Sequence, residues 1–290
     1  MEVGIGLPNA VKGTSRAQLL DWARAADDAG FSTLGTIDRI VYPNYEPLLA
    51  LSAAAAATER IRLATTVMLG PLRVNAALVA KQLLTLDALA GGGRAVLGIG
   101  LGGREDDYAV SAVPMSGRGA WQDAALAQIR AVLRGEGDNE AQIGPRPHGP
   151  GPSLIVGGSV AASFRRAARY GDGWIMGGGG PDQFKGAVEQ LDAAWADAGR
   201  EGRPRTMALA YFSLGGHAEA QARQYLLDYY AFLGAELSTM IASSAAKDPD
   251  TVRAYVSAFA AAGCDELVLF PSSADPGQVD LLADAIARSG

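Results

Sequence analysis

The chain has 290 residues, 49% hydrophobic and 19% charged, a balance that suits a compact globular protein and excludes a disordered one. Lys plus Arg number 25 against 31 Asp plus Glu, a net charge of −6, and without a basic block nucleic acid is not an expected partner. One cysteine, Cys264, and two histidines, His148 and His217, exclude an internal disulfide, a thiolate metal cage and a histidine-rich metal site.

Short apolar runs alternate with longer amphipathic ones. The opening MEVGIGLP lacks a basic region before a long apolar run, so a soluble, cytoplasmic protein is expected, with no membrane span. Val3 to Leu7 reads as a first strand, and Pro8 ends it. A Thr14-Ser15 cap opens a helix to Ala29, with Leu19, Leu20, Ala23 and Ala26 on one stripe. Phe31 to Ile37 is a strand and Pro47 to Thr58 an alanine-rich helix. Arg62 to Met68, rich in Thr and Val, is the third strand. The helix from Asn75 to Leu89 stops at Gly91-Gly92-Gly93. Ala95 to Gly100 is the fourth strand and Ala120 to Leu133 its helix. Gly135 to Pro152 carries Gly and Pro without periodicity and reads as a short insertion.

Regular alternation then resumes. Strands are expected at 154–156, 173–176, 206–214 and 266–270, and helices at 161–170, 182–198, 218–233, 249–262 and 276–288. Eight strands each followed by helical sequence, over this length, predict an α/β fold of the (β/α)8 TIM-barrel class, one domain over residues 1–290. Cys264 falls before the last strand as a packing residue, while His148 and His217 read as solvated.

In a barrel of this class, chemistry sits at the C-terminal ends of the strands. After the second strand come Asp38 and Arg39, either a local ion pair or the polar wall of a ligand site. After the fourth, Gly98, Gly100 and Gly103 match G-x-G-x-x-G, but Arg104-Glu105-Asp106-Asp107 does not open the apolar-striped helix of a dinucleotide turn. Glycines there let a flat ligand approach the backbone, and the acidic residues read as a charged loop rather than a metal site. After the fifth, Gly157-Gly158-Ser159 runs into a helix, where an anion site and an ordinary N-cap serine are equal readings. After the sixth, Gly177 to Gly180 tolerates close approach of a ligand. Two glycine-rich turns on adjacent strands suggest one phosphorylated ligand.

Several segments carry a resemblance. Ala80-Lys81-Gln82-Leu83-Leu84-Thr85-Leu86-Asp87-Ala88-Leu89, followed by Gly93-Arg94 and Gly98-Ile99-Gly100, is similar to the luciferase-like monooxygenase family. Ile155 to Ser159, Arg165 to Ala168, Gly171 to Trp174 and Glu266 to Pro271 extend the likeness in order over nearly the whole chain. The resemblance implies a barrel that binds reduced FMN, supplied by a separate flavin reductase, and uses O2 to oxidise a small or medium organic substrate. Its alternatives are hydride transfer with the deazaflavin coenzyme F420 and a non-catalytic flavin-binding barrel. Carried over by position, Arg118, Gly157, Gly158 and Ser159 hold the phosphate. Thr65, Thr66 and Met68 lie under the ring, Gly100 and Gly102 flank it, and Gly177 and Gly178 line the phosphate or ribityl side. Many members carry a histidine after the second strand; here Asp38 and Arg39 stand as the catalytic candidates, Arg39 acting by charge because a guanidinium is no base at neutral pH. The resemblance also implies a homodimer formed beside the second and third strands, using the Leu48 to Ala57 face.

Overall fold

A computed structural model describes residues 1–147 and 149–287. His148 and Arg288, the expected end of the last helix, lie outside the described residues. Eight parallel strands close into a barrel in sequence order: β1 (Glu2–Gly6), β2 (Thr33–Thr36), β3 (Arg62–Leu69), β4 (Ala95–Gly100), β5 (Ser153–Gly157), β6 (Gly173–Met176), β7 (Arg205–Phe212) and β8 (Glu266–Pro271). The helices are α1 (Arg16–Asp28), α2 (Pro47–Ala55), α3 (Ala76–Leu89), α4 (Glu105–Val110), α5 (Arg118–Arg134), α6 (Ala161–Tyr170), α7 (Pro181–Asp197), α8 (Ala218–Tyr229), α9 (Ala235–Ser243), α10 (Pro249–Ala261) and α11 (Gly277–Ala287).

Alternation along each strand builds two apolar layers. On β4, Val96 points with Ile155, Ile175, Met207 and Val268 into the barrel, while Ala95 and Leu97 pack outward beneath the helices. Local signals set the helix starts. Ser15 caps α1, accepting the Gln18 N–H at 3.3 Å, while Gln18 Oε1 accepts the Ser15 N–H at 3.0 Å.

The barrel's N-terminal end is closed by charge. Glu266, fully buried, pairs with Arg205 at 2.8 Å and Arg62 at 3.2 Å, and both arginines also reach Glu2. The described residues of 135–152 are irregular apart from one 3-10 turn at Glu140–Gln142, as the insertion reading expects.

Four helices depart from the sequence reading. A short helix, α4, does follow the fourth-strand glycines. Helix α5 begins at Arg118, two residues before the expected Ala120, after Gly117 adopts a left-handed conformation at φ 74°. The expected helix over 218–233 stops at Tyr229, and α9 forms beyond Gly234, whose φ of 84° breaks the run. None of the described helices is long and apolar enough to cross a membrane.

Candidate active site at the C-terminal face

The third strand shapes the floor. Its register against β4 shifts between Thr65 and Met68, and the Thr66–Val67 peptide within that stretch is cis. Thr65 Oγ1 donates to the Gly98 carbonyl at 2.7 Å and Thr66 Oγ1 to the Thr36 carbonyl at 3.1 Å. The irregularity turns Val67 across its neighbours. A Cβ at Gly100 would lie 3.0 Å from the Val67 side chain, one at Gly157 2.9 Å from it, and one at Gly98 2.1 Å from the Thr65 carbonyl. These glycines are thus required by the packing of β3. Met68 is fully buried in the core, and Thr66, Val67 and Leu69 are the third-strand residues on the cavity wall.

Above this floor is a cavity of about 280 Å³. Gly177 lines one side, and a Cβ built there meets nothing within 4 Å. Gly102, left-handed at φ 70°, lines the β4 side and leaves room for Leu69. Asp38 lies on the wall, 6% exposed. Its Oδ2 accepts from the Leu69 N–H at 2.9 Å and from Arg73 at 3.0 Å, while Oδ1 is buried without a partner. Burial raises its pKa above the ordinary value, against the opposing charge of Arg73.

Arg39 is buried but stands behind the wall. It pairs with Asp106 at 2.9 Å and lies over the rings of Tyr42, at 5.0 Å, and Tyr229, at 5.8 Å. Asp107, fully buried, accepts the Ile40 and Val41 N–H groups at 2.9 and 2.6 Å. The acidic stretch after β4 therefore fastens the loop after β2, as the charged-loop reading expects.

The wall opposite is aromatic and was not legible in the sequence. Tyr211 comes from β7, and Tyr229 and Tyr230 from the end of α8. The Tyr211 and Tyr230 hydroxyls share a 2.7 Å hydrogen bond, and burial pushes the Tyr211 phenol well up, so it stays neutral. Arg104 joins this wall, donating to the Tyr229 carbonyl at 2.7 Å and lying 3.6 Å from the centre of the Phe232 ring. The adjacent Tyr229-Tyr230 pair at a helix end was the available signal, but only the fold aims it at β7.

The proposed phosphate corner lies at two helix starts. Arg118 opens α5, and its Nη1 is buried without a hydrogen-bond partner. Its guanidinium lies 5.6 Å from the Tyr108 ring centre. Gly158 and Ser159 are exposed just before α6, whose N-cap position is Val160. The capping contacts come from Ser163, which accepts the Val160 N–H at 3.1 Å. Ser159 is not the cap. Gly158, at φ 138°, admits no Cβ, which would sit 2.7 Å from Ser163. Arg166 joins the two helices, pairing with Asp123 at 2.7 Å and donating to the Gly119 carbonyl at 3.1 Å. With Arg166 engaged by Asp123, Arg118 is a cation with a free donor at a helix start, an arrangement that fits a phosphate group. Gly178 has open space around it on the same rim.

The chain belongs to the luciferase-like monooxygenase family, whose profile matches residues 1–270. An uncharacterized protein of Mycobacterium tuberculosis is 32% identical over 209 residues, covering 61% of this chain and 71% of that protein. An F420-dependent glucose-6-phosphate dehydrogenase of Beutenbergia cavernae is 33% identical over 178 residues, covering 56% of this chain and 52% of its own length. Two solved structures share the fold over 99% of this chain. They are an F420-dependent secondary alcohol dehydrogenase holding an F420-acetone adduct (TM-score 0.82, 18% identity, 98% of that chain) and the monooxygenase RslO1 from Streptomyces bottropensis (TM-score 0.77, 21% identity, 99% of that chain).

Proposed function

We propose that this oxidoreductase binds reduced FMN in the cavity above Val67 and uses O2 to oxidise a small or medium organic substrate. The phosphate corner carries this reading. FMN ends at its phosphate, whereas coenzyme F420 continues into a tail of glutamyl carboxylates. Residues 116–119, 157–161 and 177–182 contain one cation, Arg118, and one anion, Asp182. That set suits a single phosphate, the group at which FMN ends.

Arg118, Ser159 and the first N–H groups of α6 would bind the phosphate, with Gly157 and Gly158 letting the backbone approach. Thr66 and Val67 would support the ring, Gly100 and Gly102 would flank it, and Gly177 and Gly178 would admit the ribityl chain. Reduced FMN supplies two electrons. The phenols of Tyr211 and Tyr230 exclude water, and Asp38 holds a proton at its free Oδ1. Arg39 braces the aromatic wall through Tyr42 and Tyr229. A separate reductase delivers the reduced flavin. The working unit is a homodimer: Leu48, Ala50, Leu51, Ala54 and Ala55 face inward, and Leu49, Val74 and Leu78 supply the exposed apolar surface on this side.

Hydride transfer with F420 is the second reading, supported by the 33% identity to the dehydrogenase of Beutenbergia cavernae. Anaerobic titration with reduced FMN and separately with reduced F420, followed by admission of O2, separates them. The expected result is FMN binding and O2 uptake that rises with an oxidisable substrate. Saturable binding of F420 alone, inert to O2, replaces this reading with the second. FMN binding without turnover leaves a carrier barrel.

A further inference from the structure

Across the aromatic wall lies a second cavity, about 540 Å³, formed by the loop after β1, one side of α8 and the loop after β8. The two cavities share a partition. Tyr42 and Tyr225 line the second, and both meet Tyr229, which lines the first, with ring centres 5.2 and 5.6 Å apart.

The charges of the second cavity are already spent. Among the described residues that line it, Lys12 is the one cation, and its Nζ lies 2.7 Å from Asp228. Asp228 also accepts the Tyr42 hydroxyl at 2.6 Å. The other carboxylate, Asp275, accepts the Gly277 N–H at 3.0 Å. What remains for a ligand is neutral. Gln224 presents an exposed carboxamide. Ser272 is 4% exposed, and its Oγ is buried without a hydrogen-bond partner. An unpaired buried hydroxyl is costly unless something bonds to it. An anion would find its only cation neutralised and a carboxylate beside it.

We propose that this cavity is a binding site of its own, separated from the first by Tyr229, for a neutral ligand rich in hydroxyls or carboxamides. The faces of Tyr42 and Tyr225 cover C–H surface, and Ser272 and Gln224 make the hydrogen bonds.

Ligand-observed NMR tests this without cofactor or turnover. The probes are methyl β-glucopyranoside and, as its anionic counterpart, glucose 6-phosphate. The parent protein is expected to bind the glucoside saturably and the phosphate about tenfold more weakly. Ser272→Val and Gln224→Leu are each expected to weaken the glucoside about fivefold. Asp228→Asn, at an exposed position, frees Lys12 and is expected to close the gap between the two probes. FMN affinity stays at the parent value in all these variants, so loss of the cofactor reading and loss of this one are separate results. Three results overturn the proposal: no saturable glucoside binding, glucoside binding unchanged in both Ser272→Val and Gln224→Leu, or tighter binding of the phosphate by the parent.

Discussion

Asp107 carries a fully buried carboxylate 3.8 Å from the Arg39 Nε, yet its hydrogen bonds go to the Ile40 and Val41 N–H groups. One side chain after β4 thus holds the backbone after β2 and balances the charge of Arg39. Removing it leaves two N–H groups without their acceptor and Arg39 with Asp106 as its remaining counter-charge. Asp107→Ala is expected to cost about 3 kcal/mol, read as a lower melting temperature. Arg39→Ala keeps the loop but unbraces the tyrosine wall. It is expected to lower turnover roughly tenfold with little change in cofactor affinity, and unchanged turnover removes Arg39 from the account.

Arg118→Ala takes away the cation of the proposed phosphate corner that has an unpartnered donor. A charged hydrogen bond is worth about 1.5–3 kcal/mol, so FMN affinity is expected to fall between tenfold and a hundredfold in a fluorescence titration. Ser159→Ala, which loses a neutral donor, is expected to cost less, about threefold to tenfold. Turnover at saturating cofactor stays near the parent value in both. Parent-like affinity in both variants contradicts the assignment.

Much of this architecture was legible because it repeats. All eight strands appear in the order their apolar runs predicted, and Asp38 and Gly177 reach one cavity because each follows a strand. What was hidden depended on contacts distant in sequence. Gly98, Gly100 and Gly157 looked like places for a ligand, and the fold adds a second demand for glycine at each: a Cβ there would meet the Thr65 carbonyl or the Val67 side chain. That follows from an irregular third strand, which no periodicity reveals. The phenols of Tyr211 and Tyr230 meet at 2.7 Å only because α8 folds back over β7. Arg39 and Arg104 also exchanged prominence: the first stands behind the wall and the second on it, a distinction set by side-chain direction rather than spacing.

Asp38 sets a pH dependence. Burial raises its folded-state pKa above the ordinary 3.8. A carboxyl of this kind contributes stability that is fully present below its unfolded pKa and is lost as pH rises through the folded value. Asp38→Asn keeps an acceptor for Leu69 and removes the titration. Its stability is therefore expected to decline less than the parent's as pH rises across that window, measured by urea unfolding at a series of pH values. Turnover is expected to lose the pH limb that Asp38 supplies. A parent-like pH–rate profile in Asp38→Asn excludes it as the proton-holding group.

Glu266 serves stability alone. It is 1% exposed in its side chain and balances Arg62 and Arg205 at the end of the barrel away from the cavity. Glu266→Ala is expected to cost about 3–5 kcal/mol because two cations lose a buried partner, while FMN affinity is unchanged. Burial works to raise the Glu2 pKa, but Arg62 and Arg205 outweigh it and hold it low, so its share of stability is lost as pH falls through that lowered value.

The dimer has its own test. Leu49 is 72% exposed, Val74 70% and Leu78 49%, apolar side chains on or just before the neighbouring helices α2 and α3. Light scattering is expected to give twice the chain mass for the parent and the single chain mass for Leu49→Glu with Leu78→Glu. A monomeric parent contradicts the proposed assembly.

The most direct measurement is a crystal structure grown with FMN. The phosphate is expected within hydrogen-bond reach of Arg118 Nη1 and Ser159, and the ring against Val67 facing the Tyr211–Tyr230 wall. A phosphate bound elsewhere, with Arg118 still unpartnered, would contradict the cofactor site on which the rest of the account depends.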